Sequence, residues 1–179
     1  MKLIDSSWTL FLDRDGVINE RNFDGYITSV DQFKFIDGSL EALVGLSQYF
    51  AKVIVVTNQQ GVEKKIMSLR NLKTIHRYMK DEVIKKGGNI DAILYATCLK
   101  EAKKNRRKPN PAMALEAKEM FPEIDFKKSI MIGDTDSDVK FGINLGMKTV
   151  VIKSEEEIKE QSDLVVNNLL EFYQKIKTL

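Results

Sequence analysis

The chain has 179 residues, 43% of them hydrophobic and 30% charged, and its 28 Lys+Arg against 26 Asp+Glu leave a net charge of +2. That length fits one domain with a well-formed core; the ordinary apolar fraction argues against disorder, and the near-neutral balance argues against a broad face for coating nucleic acid. No apolar run approaches the ~20 residues of a membrane span, the Met1 to Asp5 start has no signal-peptide core, and the single Cys98 permits neither an internal disulfide nor, alone, a structural zinc site.

Short apolar runs alternate with longer amphipathic ones along the chain. Ser7 to Leu12 predicts a first strand ending at Asp13. Ser39 is placed to cap a helix carrying Leu40, Leu43, Val44 and Leu46 near one face. Lys52 to Val56 is a β-branched second strand ending at Thr57. Ser68 caps a longer helix with Leu72, Ile75, Met79 and Val83 at helical spacing, stopped by Gly87-Gly88. Asp91 to Thr97 predicts strand three, and Pro111 opens a helix with Met113, Ala114, Ala117 and Met120. Ser129 to Ile132 predicts strand four. Asp136, read as a cap, or Ser137 begins the next helix, which stops at Gly146. Thr149 to Ile152 and Leu164 to Val166 complete the strands, and Leu169 to Ile176 closes the chain as a helix. Such alternation implies an α/β fold of three layers, Rossmann-like, with a mainly parallel central sheet, spanning 1–179 as a single domain.

Ligands bind beyond the carboxyl ends of parallel strands, so the chemistry is sought there. Asp13-Arg14-Asp15-Gly16 follows strand one, Thr57-Asn58-Gln59 strand two, Arg107-Lys108-Pro109 the loop after strand three, and Gly133-Asp134-Thr135-Asp136-Ser137-Asp138 strand four. Carboxylates, a hydroxyl, an amide and a fixed cation are the equipment for handling phosphate with a divalent metal. Asp13, rigid at a strand end, can bind Mg²⁺ and attack phosphorus. Asp15 can protonate the leaving alkoxide and then deprotonate water. Asp134 adds a second carboxylate for a hard cation, Thr57 and Lys108 can stabilise the phosphoryl group, and Asp138 can bind the metal through water or orient Lys108. A lone aspartate after a strand is usually a turn or cap residue; five such groups in one consistent order are not explained that way.

These phrases resemble the four motifs of the haloacid dehalogenase (HAD) superfamily of phosphohydrolases: Asp13-x-Asp15-Gly16-Val17, Val55-Val56-Thr57-Asn58, Lys108, and Gly133-Asp134 through Asp138. The resemblance implies Mg²⁺ held by Asp13, the backbone carbonyl of Asp15 and Asp134, a phospho-aspartyl intermediate on Asp13, and Asp15 as general acid/base. The intervals between motifs leave no room for a cap domain. This resembles the branch of histidinol-phosphate and heptose 1,7-bisphosphate phosphatases, and the phrases Phe11 through Asn19, Phe33 through Gly38 and Thr57 through Gly61 are most similar to the latter. On that likeness Arg107, Asn58 and Asn19 are substrate contacts.

That branch usually carries a loop with three cysteines and a histidine on zinc before the third motif. Here the loop retains only Cys98, so no zinc is expected. The sole histidine, His76, falls in the helix after strand two and is expected on its surface or in packing. Lys100 to Lys108 has Lys or Arg at six of nine positions, a solvated loop or a rim attracting an anion. Trp8 is expected to pack in the core; Phe23 and Tyr26 either line the substrate mouth or pack their loop. The expected function is hydrolysis of a small phosphorylated metabolite, a heptose bisphosphate above all, by a cytoplasmic enzyme with no membrane partner. Histidinol phosphate, a nucleic-acid 3′-end, and a non-catalytic phospho-acceptor module are the alternatives.

Overall fold

The computed structural model describes residues 4–103 and 105–178; Met1–Leu3 of the N-terminal stretch and Lys104 of the basic segment lie outside the described residues. The apolar runs form six strands: β1 (Thr9–Leu12), β2 (Lys52–Asn58), β3 (Ala92–Ala96), β4 (Ser129–Gly133), β5 (Lys148–Ile152) and β6 (Leu164–Val166). All neighbours pair in parallel, in the order β3-β2-β1-β4-β5-β6. Five helices connect or follow them: α1 (Ser39–Tyr49), α2 (Leu69–Lys85), α3 (Ala112–Met120), α4 (Asp136–Leu145) and α5 (Leu169–Lys177).

The period of two along each strand divides the core into two layers. Leu10, Leu12, Val53, Val55, Ile130 and Ile132 face α1, α2 and α5, while Phe11, Ile54, Val56 and Met131 face α3 and α4. Each of these ten side chains is at most 1% exposed. Burying one such side chain contributes about 1.5–3 kcal/mol, so the sheet centre is a rigid base for whatever its strand ends carry. Trp8 lies in the first layer, as expected.

The differences from expectation have local causes. β2 runs on through Thr57 and Asn58 because β3 continues to pair with them, opposite Tyr95 and Ala96, and Gln59 N–H still donates to Ala96 O at 2.7 Å. The cap of α1 is Gly38, left-handed at φ 76°, rather than Ser39, whose hydroxyl instead donates to Ile18 O at 2.7 Å. Ser68 does cap α2, accepting from Asn71 N–H. Asp136 is not the cap of α4: Thr135 is, in a reciprocal capping box with Asp138, while Asp136 Oδ1 accepts the N–H groups of Lys159 and Glu160 and ties the β5–β6 loop to the helix.

Candidate active site

Register places the site. Leu12 pairs with Val55 and with Ile132, so Asp13, Thr57 and Asp134 emerge together from three adjacent strands. Asp13 N–H still donates to Ile132 O, at 2.9 Å, which extends the ladder to that carboxylate and fixes its backbone. Gly16, at φ 84°, turns the chain immediately afterwards; a Cβ there would overlap the Asp134 carboxylate, so only glycine allows the loop and Asp134 to approach this closely.

Lys108 is the electrostatic centre. It is 4% exposed, and its three ammonium donors meet Asp13 Oδ1 at 2.9 Å, Asp138 Oδ1 at 2.6 Å and Val56 O at 2.7 Å. Burial works against its charge, but Asp13 and Asp138 outweigh that and hold its pKa above the usual lysine value. Asn58 fixes its backbone, Oδ1 accepting from Lys108 N–H at 3.0 Å and Nδ2 donating to Lys108 O at 3.3 Å. Asn58 lines the cleft, with both ends of its amide on Lys108. Asp138 does what its spacing allowed: Oδ1 orients Lys108 while Oδ2 accepts from Thr135 N–H and Oγ1.

Ligand atoms of Asp13, Asp134 and Asp138 lie within 4.8 Å of one another. Burial, opposed by Lys108 and assisted by Asp138, pushes Asp13 up to about 6. Burial, and then the charges of Asp13 and Asp138, push Asp134 up to about 7 against the pull of Arg21. Asp134 Oδ1 is buried with no hydrogen-bond partner among the described residues. An orphaned buried carboxylate oxygen beside a second carboxylate is what a hard, oxygen-preferring cation would satisfy, so the residues fit a divalent metal. Arg21, which the sequence did not single out, donates to Asp134 Oδ2 at 3.1 Å and pairs with Glu156 at 2.6 Å.

Asp15 is held from behind. Arg14, 0% exposed, donates through Nη2 to both of its oxygens at 2.8 and 2.9 Å and through Nε to Oδ1 at 3.2 Å. Asn19 Nδ2 reaches Oδ1 at 2.9 Å and Gln59 Nε2 reaches Oδ2 at 2.7 Å. Burial alone would raise this carboxyl, but the Arg14 charge and these hydrogen bonds hold it below the usual carboxylate range. Asn19 is itself 0% exposed, donates its second amide hydrogen to Glu20 O, and does not line the cleft. The structure therefore places it under Asp15 and not at the substrate position expected for it. Gln59 Nε2 also donates to Thr57 Oγ1, at 3.0 Å. With an acceptor lone pair of Thr57 so occupied, its hydroxyl hydrogen is free to point into the cleft.

The cleft above these groups measures about 1150 Å³. Phe23 and Tyr26 line it, as do Arg107 and Lys100 of the basic segment, whereas Arg106 pairs with Glu116. Gln60 Nε2 donates to the Tyr26 hydroxyl at 3.0 Å, and Lys64 stands over the ring. Arg107 Nη1 is buried without a partner among the described residues, a donor left for an anion. The loop is tied by Asn105, whose Oδ1 accepts from Arg107 N–H at 2.8 Å and from the Cys98 thiol at 3.4 Å while its Nδ2 donates to Lys100 O at 2.9 Å.

Residues 105–172 match the family model described as HAD-hydrolase-like. The D-glycero-beta-D-manno-heptose-1,7-bisphosphate 7-phosphatase of Helicobacter pylori strain J99 is 30% identical over 177 residues, 98% of this chain and 100% of that one. This chain belongs to the HAD-like phosphatase family. The corresponding 7-phosphatase of Pasteurella multocida strain Pm70 is 35% identical over 170 residues, 90% of each chain. A solved structure of D,D-heptose 1,7-bisphosphate phosphatase from B. bronchiseptica, complexed with magnesium and phosphate, superposes with a TM-score of 0.85 at 24% identity, covering 96% of this chain and 98% of that one, and so shares the fold. In this fold Asp13, Thr57 and Asp134 sit at or just beyond strand ends, Lys108 comes from the loop between β3 and α3, and Asp138 from the first turn of α4. Among the described residues, no helix is long and apolar enough to cross a membrane.

Proposed function

We propose that this phosphatase removes one phosphoryl group from a phosphorylated sugar, with D-glycero-D-manno-heptose 1,7-bisphosphate as the substrate, using Mg²⁺ and a phospho-aspartyl intermediate on Asp13. The observation that carries the mechanism is the pairing of Asp13 with Lys108 and of Asp15 with Arg14 on one strand end. Both donors to Asp13, Lys108 Nζ and Arg14 N–H, sit on Oδ1, which leaves Oδ2 to attack phosphorus. The ester P–O bond breaks as the Asp13–phosphorus bond forms, and Asp15 delivers a proton to the leaving alkoxide. The clamp keeps Asp15 ionised in the free protein, so that proton enters with the monoanionic phosphate of the substrate. Asp15 then takes a proton from water, which attacks the phospho-aspartate and releases Asp13. Thr57 and Lys108 stabilise charge on the phosphoryl oxygens. Asp13, Asp134 and the Asp15 carbonyl would hold the ion, which supplies charge neutralisation at the phosphate.

Arg107, whose Nη1 has no partner among the described residues, and Lys100 supply the second anion site that a bisphosphate needs. No cap stands in this reading, so specificity rests on the loops around the cleft. The test is phosphate release from the heptose bisphosphate and a panel of sugar and alkyl monophosphates. The bisphosphate is expected to give the highest kcat/KM, and Asp13→Asn to lose at least about a thousandfold in kcat. Activity surviving Asp13→Asn refutes the covalent route, and a flat panel refutes the substrate.

A further inference from the structure

His76 lies on α2, away from the strand ends, and takes no part in the chemistry above. It is 5% exposed and its Nε2 stands 3.2 Å from Arg14 Nη1. Arginine has only donors, so Nε2 accepts and the ring is neutral with its hydrogen on Nδ1. Burial and the Arg14 charge agree with this, holding the imidazole down at about 3. The ring also packs against Tyr95, with centroids 5.4 Å apart. Arg14 is thus gripped at both ends: Nη1 by His76, and Nε with Nη2 by Asp15.

This geometry has a consequence for Asp15. A buried guanidinium has several ways to present its edges, and only one puts Nε and Nη2 both on a single carboxylate. An acceptor at Nη1 selects that one. A neutral acceptor does so without drawing the charge of Arg14 away from Asp15, as a carboxylate at the same place would. Because Arg14 is 0% exposed, water cannot replace a lost Nη1 partner.

We propose that His76 is a positioning residue that sets Asp15, through Arg14, in the orientation from which it exchanges protons with the leaving group and with water. The inference rests on the reading of Asp15 as general acid and base. His76 touches neither substrate nor metal, so its loss is felt at steps that move a proton and not at those that bind phosphate.

The test uses His76→Phe, which keeps a ring beside Tyr95 and removes the acceptor, and His76→Gln, which returns an acceptor. Two probes are compared with Mg²⁺ present: p-nitrophenyl phosphate, whose leaving group needs no proton, and glycerol phosphate, whose alkoxide does. For His76→Phe, kcat on glycerol phosphate is expected to fall about tenfold or more, part of the ~10²–10⁴ that general acid–base catalysis contributes, with KM nearly unchanged. On the aryl ester a burst of p-nitrophenol at close to the parent rate should precede slow turnover, because the second step still needs the base. His76→Gln should recover most of both rates. Equal losses in burst and alkyl turnover would mean a general structural effect, and unchanged rates would mean no role; either overturns the proposal. If His76→Phe does not fold, His76→Leu, which also removes the acceptor, takes its place: burst kept with slowed turnover supports the proposal, and a proportional loss or unchanged rates overturn it. Asp13→Asn separates the two layers of argument. If that variant keeps the burst, the covalent mechanism has failed, whatever the histidine variants do.

Discussion

Replacing Lys108 with methionine removes the one cation set among Asp13, Asp138 and the Val56 carbonyl while keeping a stem of similar length in the core. Removing one partner of a buried ion pair costs about 3–5 kcal/mol, because the remaining charge stays buried. For a chain of this length each kcal/mol moves the unfolding midpoint by about 2–4 °C, so a fall on the order of 10 °C is expected at pH 8. The loss must depend on pH. Asp13 already sits at about 6 with Lys108 beside it, and without that charge it moves higher. A carboxyl whose folded value is raised gives stability below its unfolded value, near 3.8, and loses it as pH climbs through the folded value. The parent shares that loss up to about 6, so the deficit of Lys108→Met opens above about pH 6, as pH climbs towards the still higher folded value of Asp13 in the variant, and is smaller at pH 5 than at pH 8. Urea unfolding of both proteins at pH 5 and pH 8, with divalent ions chelated, measures it. Equal deficits at the two pH values would show that Lys108 contributes packing and not charge, and would refute the account of the site's electrostatics.

The same raised carboxyls act on metal binding with the opposite slope: with Asp13 raised to about 6 and Asp134 to about 7, Mg²⁺ must displace protons, so its affinity by calorimetry should rise at least about tenfold from pH 5.5 to pH 8, with proton release detectable from buffer dependence. No change in affinity over that range would contradict the raised carboxyls. Gln59→Leu cuts the link between Asp15 and Thr57; kcat on a sugar phosphate is expected to fall about tenfold or more, since both the proton carrier and a phosphate donor lose their orientation, with stability lowered by about 1–3 kcal/mol. Unchanged kcat would show that neither group depends on it.

Much of this molecule is legible in the sequence, for identifiable reasons. The strands are short apolar runs closed by polar clusters, and in a parallel sheet every such cluster must end at one edge, so Asp13, Thr57, Lys108 and Asp134 could be brought together without coordinates. Buried support was harder to see. The role of Arg14 is one such case, because nothing local says that its guanidinium curls back onto Asp15. His76 was readable in part: it lies four residues after Leu72 and three before Met79, on the apolar stripe of α2, which predicts burial though not its partner. Asn19 carried the wrong expectation because a polar residue near a motif reads as a ligand contact, whereas its two amide donors are spent on Asp15 and Glu20. Arg21 and Asn105 act across loops whose path periodicity does not specify.

The complete burial of Arg14 bears on which sequences lie one substitution away from this one. In many enzymes a catalytic acid can be exchanged for a neutral residue and the fold tolerates or even welcomes it, which lets inactive descendants arise by single steps. Here an Asp15→Ala change takes from a buried guanidinium the carboxylate that receives its Nε and Nη2, at a cost of up to about 3–5 kcal/mol against a total stability of about 5–15 kcal/mol. An inactive but well-folded relative is therefore at least two changes distant at this point of the chain, with Arg14 and Asp15 leaving together. At Asp134 the reverse holds, since a neutral side chain there removes a repulsion with Asp13 and Asp138 that Arg21 only partly offsets.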